Sequence, residues 1–93
     1  SDNQLRIKGN TVSLDFGLYT EPQIFFLNNK IYVSVTDTQA HRVYLFDSNA
    51  ELQPGFPVYG NSAIDLGNAD GDGSLELTVI GDEDSVLVYE VGR

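Results

Sequence analysis

The 93 residues of this chain are 41% hydrophobic, which is enough for one small domain with a modest core and too apolar for a disordered chain. The formal net charge is -9, and no Lys or Arg lies between residues 43 and 92. Such a surface repels nucleic acid and anionic lipid and favours cations or a basic partner, although solubility alone explains the charge more simply. The absence of cysteine excludes disulfides, zinc–thiolate sites and a thiol nucleophile, and no apolar run is long enough to span a membrane.

Short β-type segments follow one another along the chain, and no segment has a sustained helical period. A hairpin is predicted first, with strands at residues 5–8 and 11–16 and a type II′ turn at Gly9-Asn10. The further predicted strands are residues 24–27, 30–36, 42–47, 56–59, 63–66, 75–80 and 86–91. Two prolines place the strand at residues 56–59 on a sheet edge, because proline removes a ladder hydrogen bond.

An internal repeat indicates how these strands are grouped. Residues 30–36 align with residues 74–80 at an offset of 44, and residues 43–47 align with residues 86–90 at an offset of 43. A period of about 40–45 residues with several strands per unit is typical of propeller blades, and the alternative is chance similarity between amphipathic strands. The repeat predicts equivalent antiparallel hairpins in the two segments, with Ile31, Val33 and Val35 matching Leu75, Leu77 and Val79.

We therefore predict an all-β fold of about two four-stranded antiparallel β-propeller-type blades that form an incomplete propeller, with a small β-sandwich as the alternative. The chain is expected to be a single all-β repeat unit, with an N-terminal hairpin in residues 1–22, a first blade in residues 23–60 and a second blade in residues 61–93. The second blade lacks an outer strand, and residues 11–16 are a candidate for it.

The acidic loop of the second unit carries a family resemblance. The segment GNADGDGSLEL at residues 67–77, followed by GDED at 81–84 and VLVY at 86–89, resembles the FG-GAP/VCBS repeat. That family builds integrin-like β-propellers and many secreted bacterial proteins. The segment DSNAELQPGFPV at residues 47–58 is similar to its blade-closing turn and outer strand. The resemblance covers residues 47–91 well, residues 24–47 only as a strand pattern, and residues 1–23 not at all.

The resemblance implies a calcium ion in this loop. Calcium takes six to eight oxygen ligands, and alternate residues of a tight loop can all point inward. The candidate ligands are the side chains of Asn68, Asp70, Asp72 and Glu76 and the carbonyl of Ser74. Asn68 and Glu76 depart from the family, which has Asp at both positions, and three carboxylates imply modest affinity. The alternative is an ordinary hairpin turn whose carboxylates cap backbone N–H groups.

Other candidate sites have simpler explanations. His41 is the only histidine and has neither a nucleophile nor an orienting partner nearby in sequence, so a solvent-exposed loop residue is expected. Asp82, Glu83 and Asp84 are consecutive at a hairpin tip, which predicts a solvated turn. The aromatic residues of the strands are expected mostly in core packing between blades, and a sugar-stacking surface is the alternative.

These features predict a non-enzymatic, calcium-stabilised binding or structural module of a larger extracytoplasmic protein, which recognises protein or carbohydrate. The alternative is an accessory domain of a secreted carbohydrate-active enzyme whose catalytic residues lie outside this chain, since the family hosts both. Because the chain starts with Ser1 and contains no Met, we expect a piece of a longer protein. The expected partners are that ligand, the remainder of the parent protein, or a second copy that associates through open blade edges.

Overall fold

The computed structural model describes residues 4–7, 9–14, 17–27, 29–68 and 75–91, which form three antiparallel sheets. The N-terminal hairpin consists of β1 (Gln4–Ile7) and β2 (Asn10–Ser13). The middle sheet consists, in spatial order, of β3 (Gln23–Leu27), β4 (Lys30–Asp37), β5 (Arg42–Asp47) and β6 (Val58–Tyr59). The third sheet consists of β7 (Asp65–Asn68), β8 (Leu75–Ile80) and β9 (Val86–Val91). The predicted all-β class is confirmed.

Most strands lie where the sequence predicts them, but β6 is shorter than the predicted residues 56–59 and β7 lies two residues after the predicted residues 63–66. The short strand β6 pairs only with β5, at the sheet edge where the two prolines predict it. In the N-terminal hairpin Ile7 pairs with Asn10, so the turn lies one residue earlier than predicted. Gly9 is its second central residue with φ 83°, a left-handed conformation that glycine adopts without the penalty of a side chain.

The N-terminal hairpin lies on one face of the middle sheet, and this arrangement corrects one prediction. Residues 11–16 were a candidate for the outer strand of the third sheet, but β2 pairs with β1 and the described third sheet has three strands. Ile7 is 4% exposed in a cluster with Val33, Val35 and Phe46 of the middle sheet. Burial of these apolar side chains places the hairpin on the sheet face instead of at a sheet edge.

The two long hairpins have equivalent registers. In the middle sheet Thr36 pairs with Val43, and in the third sheet Ile80 pairs with Val86. These four residues are related by the offsets of 44 and 43 found in the sequence. The other aligned pairs of the two hairpins match in the same way, down to Tyr32 with Asp47 and Glu76 with Glu90. The antiparallel pairing predicted for both segments is confirmed.

The central strands β4 and β5 of the middle sheet are covered on both faces. One face meets the N-terminal hairpin, and the other packs against the third sheet in a larger cluster. Its fully or nearly buried members are Tyr32, Val43, Leu45, Ile64, Leu66, Leu75, Leu77, Val79 and Val91. Burial at roughly 25 cal/mol per Å² of apolar surface is the main force that holds the two sheets together. Even the polar residues Ser34 and Thr36 of β4 are at most 1% exposed.

Two groups of apolar side chains remain in solvent. Ile24 and Phe26 of β3 are 73% and 68% exposed, on the face of the middle sheet that carries the N-terminal hairpin. Ile80, Val86 and Val88 are 37%, 59% and 57% exposed on the outer face of the third sheet, which points away from the middle sheet. Scattered apolar residues are normal on a protein surface, whereas grouped ones indicate an interaction site.

Candidate functional site

Only the base of the predicted calcium loop lies within the described residues. Asn68 pairs with Leu75, and Gly67 pairs with Glu76, so the backbones of Asn68 and Glu76 occupy adjacent rungs where the loop begins and ends. Asp70, Asp72 and Ser74 lie outside the described residues. Within the part of the chain that the structure describes, no three His, Asp or Glu side chains are grouped as metal ligands.

A pair of carboxylates lies directly beside this loop. Glu76 on β8 pairs with Glu90 on β9, and both side chains are exposed on the same face of the third sheet. Like charges directly opposite each other across two strands destabilise a sheet. The arrangement makes the base of the loop a region of negative potential that attracts cations.

A separate open cleft of about 420 Å³ lies at the end of the middle sheet where β3 turns into β4. Phe26 forms one side of it, and its ring is largely in solvent. Residues 47–49 and Gln53, which follow β5, form another side. The complete lining is Phe26, Asn29, Lys30, Ile31, Tyr32, Asp47, Ser48, Asn49 and Gln53.

Two turns shape this cleft. Asn29 has φ 62°, a left-handed conformation that asparagine tolerates better than most residues, and it reverses the chain between β3 and β4. Asp47 Oδ1 accepts hydrogen bonds from the backbone N–H groups of Asn49 at 2.9 Å and Glu51 at 3.0 Å. These local hydrogen bonds of Asp47 hold the second turn in shape.

The lining of the cleft combines apolar and polar side chains. Two aromatic side chains, three amides, the hydroxyls of Tyr32 and Ser48, one cation and one carboxylate surround the same space. Amides offer both donors and acceptors, while Lys30 and Asp47 carry opposite charges. The lining contains neither histidine nor cysteine. The cleft therefore suits a neutral ligand with an apolar surface and several hydroxyl or amide groups.

A second polar cluster joins the turns at the other end of the same sheets. The Tyr59 hydroxyl donates a hydrogen bond to Asp82 Oδ1, and Asn61 Nδ2 donates to the same oxygen at 3.4 Å. His41 Nδ1 donates to Asn61 Oδ1, and its ring lies 5.5 Å from the ring of Tyr59. The prediction of an exposed His41 is confirmed, while its interaction partners were not predicted.

This cluster shifts the proton affinity of two groups. The hydrogen bond to Asp82 raises the pKa of the Tyr59 hydroxyl. The same hydrogen bond, together with the one from Asn61, lowers the pKa of the Asp82 carboxyl, because both donors favour the ionised form. All four side chains are at the surface, and the cluster ties the β4–β5 turn to the β8–β9 turn.

We expect Tyr59→Phe to raise the pKa of Asp82 towards its ordinary value, because the strongest donor is removed. In the native chain the lowered pKa stabilises the fold above the ordinary carboxyl pKa, and this contribution is lost as pH falls through the folded-state pKa. The stabilities of the native chain and the variant should therefore converge in acid. Carbon-13 NMR titration of the Asp82 carboxyl measures the shift directly.

The matched control for this titration is Tyr89→Phe. The Tyr89 hydroxyl donates to the backbone carbonyl of Tyr59 at 3.0 Å and makes no hydrogen bond to Asp82. The Asp82 pKa should be the same in this variant as in the native chain. A Tyr59→Phe variant with an unshifted Asp82 would show that the Tyr59–Asp82 hydrogen bond is absent in solution.

This chain was compared with known protein families, curated proteins and solved structures. No protein-family model, curated protein or solved structure matches this chain. The similarity to FG-GAP/VCBS repeats therefore rests on the motif residues alone. Among the described residues no helix has the length and apolar character needed to cross a membrane.

Proposed function

We propose that the chain is a non-enzymatic binding module of a larger extracytoplasmic protein, and that the cleft beside Phe26 holds a neutral carbohydrate. The observation that carries this proposal is the exposed ring of Phe26 at the side of a cleft lined by amides. A sugar ring has an apolar C–H face and a rim of hydroxyl groups, each of which donates and accepts hydrogen bonds. An aromatic face and planar amides complement these two surfaces.

The charges of the chain favour a neutral sugar over an anionic polymer. The cleft itself has one lysine and one carboxylate, so its local charge is balanced. The whole chain has a formal net charge of -9, which repels sulfated or phosphorylated polymers at long range. The proposal is therefore restricted to uncharged glycans.

The test is binding to a panel of neutral oligosaccharides, with the native chain and two variants. We expect Phe26→Ala to weaken binding at least about tenfold, as removal of an aromatic anchor from an interface commonly does. Ile24→Ala is the matched control, because Ile24 lies on the same face of the same strand and is equally exposed but does not line the cleft. Isothermal titration calorimetry gives both affinities.

Three results would contradict the proposal. They are the absence of binding to any neutral glycan, equal binding by the native chain and Phe26→Ala, and cleavage of a bound glycan by the native chain. Binding of an extended peptide in the cleft, competing with no sugar, would assign the cleft to protein recognition.

We further propose that the loop after β7 binds calcium and that the chain is part of a propeller-type repeat protein. Support for the repeat comes from the equivalent registers of the middle and third sheets. Support for calcium comes from the sequence of residues 68–76 and from the opposed carboxylates of Glu76 and Glu90, whose repulsion a nearby cation relieves. Relief of this repulsion would make the cation act on stability.

We expect millimolar calcium to raise the melting temperature of the native chain relative to the same chain in chelator. A ligand that binds only the folded state stabilises it by mass action, so the shift should grow with free calcium. Asp70→Ala should abolish most of the shift. Glu51→Ala is the matched control, since it removes an exposed carboxylate in another turn. An unchanged melting temperature of the native chain would leave only an ordinary turn.

A further inference from the structure

The outer face of the third sheet has a buried counterpart in the same molecule. Its exposed apolar residues Ile80, Val86 and Val88 occupy the register positions of Thr36, Val43 and Leu45 in the middle sheet. Those three residues of the middle sheet are all 0% exposed. Val43 and Leu45 are buried in the cluster that the third sheet forms with the middle sheet. The outer face of the third sheet therefore corresponds to the face of the middle sheet that packs against the third sheet.

The exposed face is also not flat. A shallow depression of about 230 Å³ lies between Ile80, Val86 and the segment at residues 62–65. Thr78 forms part of its floor. A side chain from a facing strand would fill this depression, as side chains of two packed sheets interdigitate.

A second copy of this chain does not supply the matching surface. The surface that packs on Val43 and Leu45 includes Leu75, Leu77 and Val79, and in each copy these residues are at most 2% exposed against its own middle sheet. Two third sheets placed face to face would bring together the acidic residues Asp65, Glu76 and Glu90, which flank the apolar group on both copies. The fitting partner is a separate sheet with a free apolar face.

We infer that the outer face of the third sheet docks a further β-sheet of the same repeat type, which presents a strand with the alternation of Leu75, Leu77 and Val79. The contact continues the interface between the middle and third sheets by one more unit. It rests on the proposed repeat architecture and is independent of the carbohydrate cleft, which lies at the end of the middle sheet.

The test extends the full chain by one unit of its own sequence. Ser48 is the register equivalent of Val91, so a second copy of residues 49–91 is joined after Val91. The chain has no cysteine, and a single Val88→Cys in the first copy therefore reports exposure of the face through its rate of thiol labelling. We expect labelling to be at least about tenfold slower in the extended chain than in the unextended Val88→Cys chain, because docking buries this side chain.

Ile24→Cys is the control, because Ile24 is 73% exposed on the opposite face of the middle sheet. It should be labelled at the same rate in both chains. Equal rates for Val88→Cys in the two chains overturn the inference, whether the added unit stays unfolded or folds elsewhere. If labelling of the unextended Val88→Cys chain slows as its own concentration rises, the face joins two copies, and the choice of a separate sheet is wrong.

Discussion

Replacing Leu77 by alanine should lower the free energy of unfolding by about 2–5 kcal/mol, the usual cost of deleting a leucine side chain in a close-packed core. Leu77 is 0% exposed and lies in the cluster between the middle and third sheets. Its strand β8 is paired on both sides, so the backbone cannot readily collapse into the space that the side chain leaves. Small domains have total stabilities of about 5–15 kcal/mol, and this single change removes a large part of that.

Urea denaturation of the native chain and two variants measures this effect. Val88→Ala is the matched control, because Val88 lies in the same sheet but is 57% exposed on its outer face. It should change the free energy of unfolding by no more than about 0.5 kcal/mol. If Leu77→Ala is no more destabilising than Val88→Ala, the third sheet does not pack on the middle sheet as described.

Gly60→Ala should lower the free energy of unfolding by about 1–3 kcal/mol through steric overpacking. A Cβ atom at Gly60 would lie 2.6 Å from Val43 Cγ2 and 2.8 Å from Val79 Cγ2. Val43 belongs to the middle sheet and Val79 to the third sheet, and both are buried. An added methyl group at this point therefore forces the two sheets apart.

Gly67→Ala is the control for the change of residue type, because nothing lies within 4 Å of a Cβ atom at Gly67. Val43→Ala supplies a second check, since it removes the methyl group nearest to the new Cβ atom. The double variant Gly60→Ala/Val43→Ala should be less destabilised than the sum of the two single variants. Additive losses, or equal losses for Gly60→Ala and Gly67→Ala, would refute the close approach of the sheets at Gly60.

The strands were predictable because their side chains alternate. Leu75, Leu77 and Val79 are separated by polar residues, and the β8 burial pattern follows this alternation residue by residue. The register of the hairpins was predictable as well, because matching pairs recur at nearly one offset along the chain. Strand periodicity and turns depend on neighbouring residues, so they can be predicted from a single sequence.

Burial that depends on packing between segments far apart in the sequence was not predictable in the same way. Ser34 and Thr36 alternate with Val33 and Val35 as an outward polar row would, yet both are buried on the face of β4 that, with Val43 and Leu45, packs toward the third sheet. The reverse holds for Phe26, an aromatic strand residue that is 68% exposed although it lies on the face of the middle sheet that carries the N-terminal hairpin. Sequence alternation shows that a strand has two faces, and only the packing of whole sheets decides which faces water reaches.

The candidate sites differ in the same way, because some join distant segments and one is local in the sequence. The cleft beside Phe26 joins residues near position 30 with residues 47–53, and no motif links those segments in the sequence. The Tyr59–Asp82 hydrogen bond spans 23 residues, and His41 reaches Asn61 across 20 residues. The calcium loop is the opposite case, because its candidate ligands lie within nine consecutive residues and a local motif suffices to propose it.

The connection of the strands has a consequence for how the molecule is made. Within the described residues, each sheet pairs strands that are consecutive along the chain, so each strand pairs with one synthesised shortly before or after it. Contacts between sequence neighbours close small loops and therefore form quickly. During translation the middle sheet has all its strands once Tyr59 has left the ribosome, and the third sheet can then assemble on a surface already in place. The order of synthesis is thus also an order in which the sheets can fold.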